Sequence, residues 1–322
     1  MDPVGGRARP PRRRVDGVLL LDKPAGLSSN AALQRAKRAF AAEKAGHTGT
    51  LDPLATGLLP LCFGEATKFA QAVLDAPKEY VATVRFGAAT TTGDAEGETV
   101  RTCDVAFSRG ELVTALTRFV GSIVQTPPAF AALKFRGRNY YEYARAGVDI
   151  PRVPRAIEIG AIELIDWAPP LAVLRVGCSK GTYLRVLAED IAGALGCCAH
   201  LAALRRTVSG PFALTAAVTL EALEAMDGPA RDALLLPSDA PLSGLARLDV
   251  DALTAQDHVA GRVGRAPPEL SGKCRCYGPQ GRFLGVVEAY AGELRSVRLA
   301  RNHEILRPPA HRAAPSSSGT PD

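Results

Sequence analysis

The chain has 322 residues, of which 47% are hydrophobic and 22% charged, and it carries a net charge of +6. That length suits two domains with a sizeable buried core. No apolar run reaches the length of a membrane span, and Gly17-Val18-Leu19-Leu20-Leu21 is too short for a signal-peptide core, so a soluble, cytoplasmic protein is expected. In chain order, an Arg/Pro leader (residues 1–14) precedes a strand-like Gly17 to Leu21 and a turn at Asp22-Lys23-Pro24-Ala25-Gly26. Ser28 or Ser29 can cap a helix through Phe40, with Leu33, Ala36 and Phe40 on one face and Arg35, Lys37 and Arg38 on the other. Leu58 to Phe63 reads as a buried strand ending at Gly64, and Lys78 to Gly87 alternates with Tyr80, Ala82, Val84 and Phe86 on one face. Ser108 and Glu111 form a capping box for a helix with Leu112, Leu116 and Phe119 in register, closed by Gly121. Leu171 to Cys178 is a strand. Lys180-Gly181-Thr182 turns into a helix with Leu184, Leu187, Ile191 and Leu195 on one face and Gly196 at its end. Residues 228–242 read as a connector. Beyond them, KCRCYG, GRFLGVVEAY and LRSVRLAR are short strands of a small all-β module, and the polar tail from Pro308 is expected to be disordered.

Placement of charge says more than its sum. The leader carries five arginines against one aspartate, and residues 125–155 carry six cations against Glu142 and Asp149, so the rest of the chain is net negative. This is a footprint for a polyanion. In TPPAFAALKFRGRNYYEYARAGVDIPRVPR the cations alternate with Phe130, Phe135, Tyr140, Tyr141 and Tyr143. Rings that stack on bases among guanidinium groups that hold phosphates suit unpaired nucleotides, and that reading is favoured over a packed helix from about Arg138 to Ala146. For the leader alone, a merely solvated tail is an equal reading. The seven cysteines have irregular spacing and are expected to be reduced thiols; Cys274 and Cys276 read as ordinary strand residues rather than half of a metal site.

The stretch GHTGTLDPLATG, residues 46–57, surrounds one carboxylate with backbone-shaping residues. Gly46, Gly49 and Gly57 permit positive φ, and Pro53 pushes Asp52 toward an extended conformation. A plain Asp-Pro turn accounts for Asp52 and Pro53 but not for the glycines around them. The Walker pattern lacks its Gly-Lys-Ser/Thr, no Ser or Cys elbow joins His47 and Asp52, and the five histidines are too dispersed for a metal site. What remains is a lone carboxylate acting as nucleophile or base, with no cofactor.

These residues resemble a known family. Lys44 to Gly57 resembles the active-site signature of TruB-type tRNA pseudouridine synthases. The likeness includes Gly17 to Pro24, Gly64-Glu65-Ala66-Thr67-Lys68 and Lys78-Glu79-Tyr80. It continues through Ala132-Leu133-Lys134, Tyr141 to Gly147, Cys178 to Arg185 and Leu204-Arg205-Arg206, covering roughly residues 15 to 305. The resemblance implies isomerisation of uridine-55 in the T-loop of tRNA to pseudouridine, without a cofactor. Asp52 would be the catalytic aspartate, attacking C1′ or uracil C6 or abstracting a sugar proton. Arg185 would hold it ionised against burial. Tyr80 would stack on the uracil and help move the C5 proton. Tyr183 and Leu204 would wall the base pocket, although core packing alone also accounts for Leu204. His47 would contact the RNA, with a loop-structuring role as its competitor. The implied fold is a mixed α/β catalytic domain (residues 15–240) around a largely antiparallel sheet, with an RNA-gripping insertion at about 125–155. A PUA-like β domain (241–307) and a disordered tail (308–322) complete it. A monomer is expected. The rivals are a synthase for another RNA stem-loop and a non-catalytic tRNA-binding or folding protein.

Overall fold

A computed structural model describes residues 11–300. The leader up to residue 10, and the tail from residue 301 with His303 and His311, lie outside the described residues. The chain divides into two compact units, one ending at Ser243 and one beginning at Gly244. The first unit opens with β1 (Gly17–Lys23), α1 (Ser29–Ala39), β2 (Ala45–His47), β3 (Thr56–Phe63), α2 (Ala70–Asp75) and β4 (Lys78–Phe86). Then come β5 (Ala88–Thr90), β6 (Thr99–Thr102), α3 (Arg109–Thr117), β7 (Gly121–Gln125), β8 (Lys134–Phe135), β9 (Arg138–Asn139) and α4 (Tyr140–Arg145). It ends with β10 (Arg155–Ala168), β11 (Leu171–Cys178), α5 (Leu184–Ala194), β12 (Ala199–Ser209), β13 (Phe212–Ala213), β14 (Val218–Thr219), α6 (Leu220–Ala225) and α7 (Gly228–Asp232).

A mixed sheet organises this unit, in the order β14-β1-β3-β12-β4-β11-β10-β7. Only the β1–β14 and β3–β12 pairs along that path are parallel, so the sheet is largely antiparallel, as the family resemblance implies. β12 lies between β3 and β4 and sets Arg206 opposite both Gly57 and Tyr80. Helices α1 and α5 cover the sheet because their apolar positions fall at helical spacing. Ala32, Leu33 and Ala36 of α1, and Leu184, Leu187, Ala188 and Ile191 of α5, enter the same core as Leu59, Leu61, Val84 and Leu174. Burying each such leucine or isoleucine is worth about 1.5–3 kcal/mol.

Several boundaries follow the sequence reading. Ser28 caps α1, and Ser108 with Glu111 forms the full capping box of α3. α3 stops at Thr117, earlier than expected, and Gly121 opens β7 with φ 98° rather than closing the helix. Gly46 has no left-handed φ, because it pairs with Cys62 inside β2–β3. Residues 228–242 are more than a connector: Leu236 exchanges both backbone hydrogen bonds with Val18 of β1, at 2.9 Å each. Arg13, at the end of the leader, is likewise engaged: it ion-pairs with Asp232 and its backbone bonds Ala41 and Glu43.

The second unit is a five-stranded sheet among the described residues, joined by one helix. Its elements are β15 (Ala246–Asp249), α8 (Ala252–Val259), β16 (Gly264–Arg265), β17 (Gly272–Gly278), β18 (Arg282–Tyr290) and β19 (Glu293–Leu299). Cys274 and Cys276, two apart on β17, both face its core beside Leu284, Val287 and Leu294. That is the strand role expected of them, since alternate residues share a face. This small β unit is consistent with the PUA-like domain that the resemblance implies.

Candidate active site

The loop bearing Asp52 is fixed by partners distant in sequence. Thr48, fully buried, donates to the Pro60 carbonyl from its backbone N–H and from its hydroxyl. The Ser29 hydroxyl accepts from Leu51 N–H at 2.7 Å and donates to the Leu51 carbonyl at 3.0 Å, so it clamps the residue before Asp52 from both sides. Gly26 N–H donates to the Pro53 carbonyl at 2.8 Å, and Ala55 N–H closes a turn on the Asp52 carbonyl at 3.0 Å. Gly57 has φ 97°, and a Cβ there would lie 2.4 Å from the Arg206 carbonyl oxygen, so the β3–β12 approach requires glycine. Arg206 is buried and spans the loop, donating from Nε to the Leu58 carbonyl and from Nη2 to the Gly49 carbonyl.

Arg185, in the first turn of α5 and only 5% exposed, meets Asp52 at 3.0 Å. The same guanidinium lies 3.7 Å from Asp94, also 5% exposed, and donates to the carbonyls of Thr92 and Phe130 at 2.9 and 2.8 Å. Two carboxylates and two carbonyls therefore fix one planar cation, an arrangement that a lysine's point charge could not reproduce. Asp94 is held in turn by the Thr92 hydroxyl at 2.5 Å and by Glu96 N–H at 3.1 Å. The Asp52 side chain keeps 41% of its surface open to a cavity, yet the surrounding protein still desolvates it. Burial pushes its carboxyl above the ordinary value; Asp94 adds to this, while Arg185 and then Lys23 oppose it. Lys23 is fully buried, with its ammonium on the carbonyls of Pro24 and Leu27 and 3.4 Å from that of Pro53; desolvation brings it down to about 8.

The cavity, of about 400 Å³, is lined by Asp52, Tyr80, Tyr183, Arg185, Leu204 and Arg206, among others. A site of that size fits a nucleoside. The structure thus brings five of the six residues singled out from the sequence to one space. Burial raises the Tyr80 phenol above its ordinary value, with the Arg206 guanidinium beside it pulling the other way. Tyr183 precedes α5; buried Gln125 bonds both its N–H and its carbonyl, and the Arg155 guanidinium sits 5.0 Å from its ring centre. His47 is not among the lining residues. It ends β2 half-buried, and its Nδ1 has no hydrogen-bond partner among the described residues. Burial and Arg206 both lower its pKa, so the ring is neutral.

The basic aromatic segment contains both a small hairpin, β8–β9, and the short helix α4. Its rings are engaged by its own cations: Arg136 over Phe135, Arg138 over Tyr143 and Arg145 over Tyr141, at 5.2–5.5 Å. Ala131, Ala132 and Leu133 at its base line the cavity, and the neighbouring Phe130 carbonyl accepts from Arg185. Sequence reasoning passed over Asp94 and Lys23. Asp94 sits in the polar run TTTGDAEGE, which looks like any turn, and Lys23 looked like a turn residue before Pro24. Their role emerges only when the sheet closes.

Comparison with known proteins points to one family. The model of the TruB family pseudouridylate synthase (N terminal domain) matches residues 37–184. That of the tRNA pseudouridylate synthase B C-terminal domain matches residues 185–243, within the first unit. The chain is 53% identical over 306 residues to tRNA pseudouridine synthase B of Burkholderia mallei, covering 93% of this chain and 98% of the relative. With its namesake in Thiobacillus denitrificans it shares 52% over 294 residues, covering 90% and 98%. Among solved structures, a chain of a Cbf5-Nop10-Gar1 complex matches with TM-score 0.65 and 27% identity, covering 85% of this chain and 78% of that one. A chain from an H/ACA RNP bound to a substrate RNA, at 22% identity and TM-score 0.68 over 91% and 87% of the two chains, shares the fold. No helix among the described residues is long and apolar enough to cross a membrane. An aspartate presented by a braced loop into a nucleoside-sized cavity, and family models that together span residues 37–243, lead to one conclusion: the chain belongs to the TruB family of pseudouridylate synthases.

Proposed function

We propose that this protein converts a uridine of tRNA, uridine-55 of the T-loop, to pseudouridine, with Asp52 as the catalytic carboxylate. The observation that carries this reading is the 3.0 Å ion pair between buried Arg185 and an Asp52 that still faces the cavity. The relatives named tRNA pseudouridine synthase B, at 52–53% identity, support tRNA as the substrate. In the reaction the C1′–N1 bond breaks, the uracil rotates, a C1′–C5 bond forms and the C5 hydrogen leaves as a proton. One bond at C1′ is exchanged for another, so no oxidant or reductant is consumed.

The geometry supports the following roles. Arg185 favours the ionised form of Asp52, which any of its three routes requires: attack at C1′, attack at C6, or removal of a sugar proton. Tyr80 packs on the uracil and moves the C5 proton; the Arg206 cation beside its hydroxyl is the interaction that a developing phenolate strengthens. Tyr183 and Leu204 wall the base. His47, outside the cavity lining, contacts the RNA backbone near the extruded nucleotide. The target base leaves its stack at a cost of a few kcal/mol, which the cations of residues 125–155 offset by gripping the T-arm. The catalytic domain is residues 15–240, and the PUA-like domain at 241–307 holds a second part of the same tRNA. The enzyme works as a monomer in the cytoplasm.

The test is tritium release from tRNA labelled at uracil C5, wild type beside Asp52→Asn. Release by wild type and none by the variant is expected, with release abolished when the T-loop uridine is replaced. Full release by the variant would refute the assignment of Asp52. Release from other RNA hairpins but not from the T-arm would move the substrate to another stem-loop. Tight tRNA binding without release from either protein would leave a binding protein.

A further inference from the structure

Seven cysteines are free, and three of them converge far from any use in the mechanism above. The Cys103 sulfur lies 2.7 Å from that of Cys198 and 3.2 Å from that of Cys197. The approach is dictated by the backbone and not by a chance rotamer. Gly87 N–H donates to the Cys198 carbonyl at 2.8 Å, and Cys103 N–H donates to the Gly87 carbonyl at 3.0 Å, so one glycine pins both segments. Cys198 N–H also donates to the Cys103 sulfur at 3.0 Å.

The three thiols are not equivalent. Cys103 is half-buried and reachable from solvent, whereas Cys197 and Cys198 are 5% and 2% exposed. Hydrogen bonds from the Cys198 thiol, then from the Cys197 thiol and the Cys198 N–H, hold Cys103 below the ordinary thiol range against burial, with Arg101 adding to them. Burial raises Cys197 and Cys198. It pushes Cys62 and Cys276 up to about 12 and Cys178 to about 11, which makes those thiols inert. An accessible, activated sulfur beside a buried resolving sulfur is the arrangement of a thiol that oxidises reversibly.

We propose that Cys103 is a peroxide-reactive site that is resolved by Cys198 into an intramolecular disulfide. The Cys103 thiolate attacks one oxygen of hydrogen peroxide; an S–O bond forms, the O–O bond breaks, and hydroxide leaves and takes up a proton as water. The Cys198 sulfur then attacks Cys103; the S–S bond forms, the S–O bond breaks, and the departing hydroxide takes the Cys198 proton as a second water. Two thiols lose two electrons to one peroxide. The sulfurs need close only from 2.7 Å to a bond length of about 2.0 Å. The bond joins the segment after β6 to the turn between α5 and β12. It therefore ties the region that follows the Asp94 loop to the far end of the helix whose first turn carries Arg185. A metal–trithiolate centre is the competing chemistry, and the adjacent Arg101 cation disfavours it.

The experiment oxidises the purified full chain with stoichiometric hydrogen peroxide, blocks remaining thiols by alkylation and maps non-reduced peptides by mass spectrometry. Loss of two thiols, a peptide linking Cys103 to the Cys197-Cys198 segment and full reversal by dithiothreitol are expected. The Cys197→Ala variant, with six thiols, still loses two of them and gives the linked peptide; the Cys197→Ala/Cys198→Ala variant, with five, gives none, and after peroxide its Cys103 traps dimedone as a sulfenic-acid adduct. The melting temperature of the oxidised wild type rises by several degrees. Reaction at Cys103 no faster than that of free cysteine, with no linked peptide in wild type, would overturn the proposal whatever the variants do. So would stoichiometric zinc in the purified chain that Cys103→Ser releases.

Discussion

Two stretches of this protein meet at the same cavity and are held in opposite ways. Residues 46–57 are bound by groups remote in sequence: Ser29 on Leu51, Thr48 on Pro60 and Arg206 across Gly49 and Leu58. Residues 130–147 are held mostly by themselves: Asn139 bonds Glu142, Tyr143 bonds the Phe135 carbonyl, and three arginines cover three neighbouring rings. The first stretch is positioned by the whole fold and cannot move without disturbing the sheet. The second is braced mainly from within, with the Phe130 carbonyl on Arg185 among its ties to the rest of the unit. The roles proposed above match this division: a reacting carboxylate benefits from the first arrangement and a grip on a large, folded nucleic acid from the second.

The site is most vulnerable at Arg185. Arg185→Ala removes one partner of a buried pair and leaves Asp94 uncompensated, so a stability loss of about 3 kcal/mol in denaturant titration is expected. Turnover should fall on the order of a thousandfold, and Arg185→Lys should recover little of it. Gly57→Ala forces a Cβ against the Arg206 carbonyl at a left-handed φ, and about 2 kcal/mol should disappear from the unfolding free energy. Ser29→Ala cuts both bonds to Leu51, which should cost about 1–2 kcal/mol and lower kcat more than it changes KM.

A pH profile sharpens the contrast further. Burial raises Asp52, so it gains its proton at a higher pH than a free carboxyl. If the ionised form is the active one, the acid limb of kcat/KM lies above the usual aspartate value of about 4. Asp94→Asn removes a charge that raises Asp52, so the limb should move to lower pH; an unmoved limb would uncouple the two carboxylates. The smallest effects belong to the self-contained segment. Arg138→Ala and Arg145→Ala should leave the melting temperature nearly unchanged. Each should reduce the salt dependence of tRNA binding by roughly one phosphate contact. Hydrogen exchange faster at residues 130–147 than at 46–57 is expected; equal protection would show both stretches to be held by the whole fold.

Local chemistry was legible from the sequence and long-range assembly was not. The capping box at Ser108 and Glu111, the cap at Ser28 and the strand Leu171–Cys178 each depend on neighbours within a few residues, and each was found where expected. The long strand β10 was passed over, because its outward face alternates charged and apolar residues and Gly160 interrupts it. Asp94 escaped because its partner Arg185 lies far along the chain, and nothing local separates a buried aspartate from a turn aspartate. Leu236 sits in a run that looks like linker until β1 offers it an edge. At the site, the motif led to the residues that line the cavity, but His47 lies outside it, which spacing alone could not reveal.

The Phe130 carbonyl touches the same nitrogen of Arg185 as Asp52 does. That shared nitrogen makes the root of the basic segment and the acidity of Asp52 two ends of one equilibrium. Drawing Phe130 away leaves the cation fewer acceptors and turns more of its field toward Asp52. By reciprocity, deprotonating Asp52 weakens the hold on Phe130 by the same free energy. A displacement of the Phe130 backbone and the loss of a proton from Asp52 are thereby thermodynamically conjugate.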